Sequence, residues 1–286
     1  MKLYCDLHTH SIFSDGTDTP EQLIARAERL GLSALALTDH NSVAGLPRFL
    51  KAAERSNVTA VPGIEFSTGY ENGELHILAL FVRPEHYSAI NDLVALPRKR
   101  KRESNQALAE KLTRAGYSID YAQLEASTPG GHVNRAHFAA ELKRKGFVSS
   151  MDEAFRELLK PGGAFYQPPK RLDALETIEF IRSIGAVAVL AHPFLNLDRE
   201  GVEGFLTLAV PRGLDGMEVL YSKFDEKTTE MALGIAEKYG LCKSGGSDYH
   251  GNNKPDIALG SGKGELAVPH GYYETLAALA AERQGG

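Results

Sequence analysis

Cysteine is nearly absent from this 286-residue chain, which carries only Cys5 and Cys242. Two cysteines cannot build a disulfide framework, and a cytoplasmic protein with free thiols is the expectation they raise. Long apolar runs are missing as well. The longest, such as Ala186–Ala191, fall far short of the roughly 20 residues that span a bilayer, so no membrane association is expected. The opening MKLYCDLHTH turns polar after five positions, so it reads as no secretory apolar region. Nor is there an excess of positive charge. A formal net charge of −5 argues against a protein that coats long nucleic acid. It leaves room for a small phosphorylated ligand, because bound metal cations add charge that the formal count omits. Internal repeats and low-complexity tracts are absent too, and nothing in the sequence points to an obligate protein partner.

What is present is a repeated alternation. Short apolar runs read as strands at Lys2–Leu7, Ala34–Thr38, Val58–Ile64, Leu75–Val82, Ala186–Ala191, Gly216–Leu220 and Leu241–Ser244. Helical patterns lie between most of them, at Pro20–Leu30, Val43–Arg55, Ala174–Ile184, Glu200–Leu208 and Glu226–Tyr239. In Pro20–Leu30, Thr19 is the N-cap, Pro20 the first helical residue and Gly31 the stop, with Leu23, Ala27 and Leu30 on one face. Strands alternating with helices imply parallel β-structure with crossover helices. Seven of them point to an α/β fold of barrel type, smaller than a regular eight-stranded barrel.

The alternation breaks between residues 98 and 169. This segment opens with Arg98-Lys99-Arg100-Lys101-Arg102 and continues as helices at Asn105–Ala115, Arg135–Lys145 and Met151–Leu159. It closes on Pro161-Gly162-Gly163 and Pro168-Pro169. Residues 1–97 and 170–286 are therefore expected to form the barrel, and 98–169 a helical insertion over its mouth, with a lid as its expected role.

The chemistry concentrates where strands end. Asp6-Leu7-His8-Thr9-His10 is followed by Asp15-Gly16; side chains two apart on a strand share a face, which puts Asp6, His8 and His10 together and turns Cys5 and Leu7 towards the covering helices. Cys5 is thereby excluded as a ligand. Thr38-Asp39-His40-Asn41 follows the second strand, Gly63-Ile64-Glu65-Phe66 the third, Ala191-His192-Pro193 the fifth and Gly246-Ser247-Asp248-Tyr249-His250-Gly251 the last. His76 is the exception, near the start of its strand. Each motif alone has an ordinary reading, as a strand end, a turn or a salt-bridged loop. Together, nine His, Asp and Glu residues converging on one rim would be costly without cations, because the carboxylates would repel. A centre of several metal ions resolves that conflict.

These motifs resemble the PHP (polymerase and histidinol phosphatase) family of metal-dependent phosphoesterases, related to the amidohydrolases. The matching segments are DLHTHSIFSDG at 6–16, TDHN at 38–41, PGIEFS at 62–67, HILAL at 76–80, AHP at 191–193 and GSDYHG at 246–251. The resemblance implies a distorted seven-stranded (β/α) barrel. It implies one ion held by His8, His10, Glu65 and Asp248, a second by Asp15, His40 and His250, and a third by His76 and His192 with Glu65 bridging. Asp6 and Asp39 would orient ligand imidazoles. The insertion, with its basic run, Asn105, Leu108 and Arg135-Ala136-His137, resembles the group containing 3′,5′-nucleoside bisphosphate phosphatases and 5′-to-3′ exonucleases of very short RNA. Ser104 departs from that group's pattern, in which an arginine is expected.

The expected activity is hydrolysis of a phosphate ester with two or three divalent ions, manganese foremost and zinc or iron as alternatives, since all ligands are N and O donors. Arg135 would offset charge on the phosphoryl group, and Arg98, Lys101 and Arg102 would hold a second phosphate. His137, or else His250, would protonate the leaving oxygen. Phe165 and Tyr166 would stack a base. Competing readings are another small phosphomonoester such as histidinol phosphate, C–N hydrolysis as in the amidohydrolases, and a non-catalytic module of the kind attached to polymerases.

Overall fold

The computed structural model describes residues 3–71, 73–128 and 133–285. Lys2, expected at the start of the first strand, and residues 129–132 of the insertion lie outside the described residues. The chain divides into two compact units, Met1–Asn91 with Leu172–Gly286, and Asp92–Arg171.

The first unit is a sheet wrapped almost into a barrel. Its strands are β1 (Tyr4–Asp6), β2 (Ala34–Leu37), β3 (Thr59–Tyr70), β4 (Gly73–Leu80), β5 (Leu172–Asp173), β6 (Val187–Leu190), β7 (Gly216–Tyr221), β8 (Cys242–Gly246) and β9 (Val268–Pro269). The hydrogen-bonded order is β8-β7-β6-β4-β3-β2-β1-β9, with the two-residue β5 beside β3. Beyond the end of β1 the chain returns to β8: Leu7 N–H donates to the Gly245 carbonyl at 3.1 Å, and Asp248 N–H to that of His8 at 2.9 Å. These bonds bring the two ends of the wall together.

Most neighbours are parallel, as the alternation requires, but β4 is not. It runs antiparallel to β3 in a register from Gly63↔Leu80 to Tyr70↔Gly73, and antiparallel to β6. β3 and β4 thus form a hairpin, and β3 continues six residues past the expected end at Ile64. Residues 65–70, beyond that expected end, are paired along β4.

Helices α1 (Pro20–Arg29), α2 (Leu46–Ala53), α7 (Ala174–Ser183), α8 (Arg199–Ala209), α9 (Glu226–Lys238) and α10 (His270–Gln284) belong to this unit. α1 starts with a capping box between Thr19 and Gln22 and buries Leu23, Ile24 and Ala27. Leu30, expected on the buried face, is instead the helix C-cap and 58% exposed. Cys5 and Leu7 join Ala34, Val61, Leu78 and Val189 in a buried cluster into which α10 inserts Leu276 and Ala280.

The second unit holds most of α3 (Tyr87–Arg114), with α4 (Tyr121–Ser127), α5 (Arg135–Arg144) and the one-turn α6 (Met151–Glu153), which runs into a π-turn at Ala154–Leu158. It has its own core, including Leu108, Leu112, Phe138, Leu142 and Leu159. The basic run Arg98–Arg102, expected to open the insertion ahead of a helix at Asn105–Ala115, lies inside the 28-residue α3, just after Pro97. No helix among the described residues is long and apolar enough to cross a membrane.

Candidate metal centre

The chemistry-bearing residues lie where the wall of the first unit ends. His8 and His10 follow β1, His40 follows β2 and pairs with Glu65 in an isolated bridge, His192 follows β6, and Asp248 and His250 follow β8. Glu65 lies within β3 rather than after it, and His76 within β4. Because β4 is antiparallel, its early residues reach the rim that the other strands reach with their ends. That geometry explains the one histidine that sat wrongly on a parallel reading. His192 and Asp248 adopt left-handed backbone angles, φ 29° and 56°, sparsely populated for residues with a Cβ.

Glu65 is the hub. It is fully buried, and five imidazoles touch its carboxylate. Oε2 lies 3.2 Å from His8 Nε2, 3.2 Å from His10 Nε2 and 3.0 Å from His40 Nδ1. Oε1 lies 2.7 Å from His76 Nδ1 and 3.0 Å from His192 Nε2. His8 Nε2 and His10 Nε2 face each other at 3.1 Å. Around this hub, ligand atoms fall into three groups that could each hold an ion: His8, His10 and Glu65; His10, Asp15, His40 and His250; and His40, Glu65 and His76. Asp248 Oδ1 adjoins the first group, 3.3 Å from His10 Nε2. His250 Nε2 is 3.2 Å from Asp15 Oδ1 in the second.

The donor set fits divalent cations. Glu65 Oε2 and His40 Nδ1 are buried without a hydrogen-bond partner despite their closeness. Donors about 3 Å apart that do not hydrogen-bond are what two ligands of one ion, each bound at about 2.0–2.2 Å, look like. Ring tautomers agree. His250 Nδ1 donates to the carbonyl of Asp248 at 2.8 Å, leaving Nε2 with its lone pair towards Asp15. In its neutral form that makes His250 a ligand candidate. Protonation points the same way. Burial disfavours charge on His10 and His76, yet Asp248 and Glu65 beside the first and Glu65 and Glu74 beside the second raise them to about 9 and about 10. Burial likewise works against the Glu65 carboxylate, and the imidazoles of His40, His76 and His8 hold it well below the usual range. Without metal, protons on His8, His10 and His76 supply cations beside the carboxylates, whereas burial outweighs Glu65 and Asp15 at His40 and lowers it to about 3.

Supporting residues differ from expectation. Asp6 accepts from Ser247 N–H and Oγ, Gly260 N–H and His8 N–H, and Asp39 from Ser11 and Ser14. Both tie strand ends together by backbone and hydroxyl bonds, and neither hydrogen-bonds a ligand ring directly; Asp39 reaches His10 Nδ1 through the Ser14 hydroxyl, 3.4 Å from that ring nitrogen. The direct contact belongs to Glu218 of β7, which the sequence reading missed. It is fully buried and 3.0 Å from His8 Nδ1. Its only signal was an acid inside the otherwise apolar Gly216–Tyr221. Tyr221 Oη and Lys254 Nζ were missed too; they donate to Asp248 Oδ2 at 2.8 and 2.7 Å.

Arg98, Lys101, Arg102, Arg135 and His137 belong to the second unit, whereas all nine ligand candidates belong to the first. Arg102 pairs with Glu125 at 2.7 Å. Arg135 lies over the rings of Tyr166 and Phe155, 5.2 and 5.7 Å from their centroids. His137 Nδ1 accepts from Asn134 N–H at 3.0 Å in the capping box of α5. Asn105 donates to the Val133 carbonyl at 2.9 Å, and Ser104 to that of Gln167 at 2.6 Å. Tyr166, expected to stack a base, is 7% exposed and packs in the helical core.

Comparison with known proteins agrees with the site. The chain is 32% identical over 248 residues to the 5′-3′ exoribonuclease Rnm of Escherichia coli, covering 86% of this chain and 84% of that protein. It is 33% identical over 250 residues to a phosphoribosyl 1,2-cyclic phosphate 1,2-diphosphodiesterase of Eggerthella lenta, covering 86% and 94%. It is 30% identical over 248 residues to a 3′,5′-nucleoside bisphosphate phosphatase of Chromobacterium violaceum, covering 86% of each. A Bifidobacterium adolescentis structure assigned as a metal-dependent phosphoesterase superposes with a TM-score of 0.82 and 27% identity, over 97% of this chain and 96% of that one. The PHP domain family matches residues 6–165. With a buried carboxylate ringed by imidazoles at the sheet rim and these relatives along most of its length, the chain belongs to the PHP family of metal-dependent phosphoesterases.

Proposed function

We propose that this phosphoesterase acts on nucleotides, removing the 3′-phosphate of nucleoside 3′,5′-bisphosphates, or hydrolysing short oligoribonucleotides from the 5′ end, or both. The observation that carries the hydrolytic centre is Glu65 with five imidazole nitrogens within 3.2 Å. The relatives of E. coli and C. violaceum, matched over most of their lengths, support the substrate class. His8, His10, Asp15, His40, Glu65, His76, His192, Asp248 and His250 would hold two or three divalent ions, with manganese the first choice. Bound there, such ions would lower the pKa of a water and polarise the phosphoryl oxygens.

The chain's own groups would do the rest. Lys254 and Tyr221 hold the outer oxygen of Asp248, so that its inner oxygen stays aimed at His10. Arg98, Lys101, Arg102 and Arg135 are proposed for the substrate's phosphates and His137 for the leaving oxygen. Replacing Arg98 and Lys101 with alanine should reduce kcat/KM on a bisphosphorylated nucleotide more than on an aryl phosphate. Equal losses would end that assignment.

A second reading, hydrolysis of a phosphoribosyl cyclic phosphate, is favoured by one observation, the 33% identity to the E. lenta enzyme. Phosphate release, or ring opening, measured against a panel decides. The panel holds a nucleoside 3′,5′-bisphosphate, RNA of two to five nucleotides, a ribose 1,2-cyclic phosphate and histidinol phosphate, each with added Mn, Zn, Fe or Mg. Turnover of the cyclic ester or histidinol phosphate, with none of the nucleotides or RNA, would overturn the nucleotide reading.

A further inference from the structure

Glu218 makes two hydrogen bonds that together leave it one acceptable chemistry. Its Oε2 accepts from the backbone N–H of His192 at 2.7 Å, and its Oε1 lies 3.0 Å from Nδ1 of His8. The carboxylate is fully buried. A backbone N–H is always a donor, so Oε2 must accept. An ionised carboxylate has only acceptors, so Oε1 must accept too, and Nδ1 of His8 must carry the proton. In the neutral ring, the form that can ligate a metal, the other nitrogen, Nε2, then keeps its lone pair, and it is the one facing His10 Nε2 at 3.1 Å and Glu65 Oε2 at 3.2 Å. The bond to His192 acts where the backbone is strained, since His192 holds φ 29° just before Pro193. His192 in turn places its ring Nε2 3.0 Å from Glu65 Oε1.

We infer that Glu218 is a positioning residue that sets the ring tautomer of His8 and the backbone of His192 with one carboxylate, preparing two metal-ligand candidates on either oxygen of Glu65 at once. This rests on the metal-centre reading above. It singles out glutamate over its isostere. A glutamine at 218 has one acceptor and one donor. With its oxygen on His192 N–H, its amide nitrogen meets His8 Nδ1, and the His8 proton is driven to Nε2, where it blocks ligation. Turned the other way, the amide nitrogen opposes His192 N–H, donor against donor. Either arrangement harms one of the two residues, His8 or His192, although volume is unchanged.

The test titrates Mn(II) alone and Zn(II) alone into chelator-stripped wild-type protein and into Glu218→Gln, with calorimetry and elemental analysis as readouts. The expected result is metal affinity about 10–100-fold weaker in the glutamine variant, with circular dichroism unchanged. Should that variant fail to fold, long-range ¹H–¹⁵N spectra of zinc-loaded wild-type protein decide. The His8 proton is expected on Nδ1. Wild-type affinity in Glu218→Gln overturns the inference, as does a lowered melting temperature with unaltered metal affinity, or a His8 proton on Nε2. If wild-type protein itself takes up neither ion, the metal-centre reading falls first and this inference with it.

Discussion

Glu65 has two oxygens for five imidazole neighbours, and a neutral imidazole has a single N–H to give. Either several rings are protonated or cations occupy the space between them. In the metal-free protein the first applies, and its pH dependence has a definite sign. His10 and His76 have folded values of about 9 and about 10, above the ordinary 6.5. A raised value means stability that is fully present below pH 6.5 and lost as pH climbs through the folded values. The melting temperature of chelator-stripped protein should therefore fall from about pH 6.5 to 10, and the fall should be smaller with metal bound, when ions replace those protons. A flat profile for stripped protein would contradict it. Metal uptake at neutral pH should also release protons, seen as buffer-dependent heats in calorimetry. Glu65→Gln should lose bound metal and lower kcat/KM by roughly 100-fold or more, because Glu65 belongs to two of the three ligand groups. Retained metal content in that variant would show that Glu65 is not the hub.

Among the elements, the join between β1 and β8 leaves the least room. A Cβ added to Gly246 would sit 2.4 Å from His8 Cβ and 2.5 Å from its backbone nitrogen. Gly246→Ala must therefore push the two strand ends apart and displace His8, and metal content and soluble yield should fall together; wild-type metal binding would show that the join can give. α10 is fastened differently. Arg283 forms a paired bond with Asp215, reaches the Ala186 carbonyl at 3.2 Å, and Asp215 also accepts from Ala188 N–H at 2.9 Å. With the Asp215 side chain only 6% exposed, Arg283→Ala should cost about 2–3 kcal/mol, read by denaturant unfolding, while leaving metal affinity unchanged. The hairpin of β3 and β4 shows why strand direction escaped the sequence. Leu75–Val82 is apolar whichever way it runs, and only its pairing with Gly63–Tyr70 turns His76 to the rim.

For the whole molecule, two cores in two units predict separable behaviour. A ligand stabilises what it binds, and every ligand candidate lies in the first unit. Chelation should raise hydrogen exchange in β1, β3 and β8 and leave α5, packed through Phe138 and Leu142, largely as before. Equal deprotection of both would mean they unfold as one. The amino-acid order alone was enough for the α/β alternation, for the family and for picking out the strand-end acids and imidazoles that the fold gathers around Glu65. The reason is local: apolar runs end where water begins, and an acid or imidazole at such an end advertises chemistry. It was not enough for the course of β4, the place of the basic run within α3, the burial of Tyr166 or the part played by Glu218. Those depend on which distant groups meet. An acid in the middle of a buried strand looks like a misplaced charge until His8, 210 residues away in the chain, is found 3.0 Å from it.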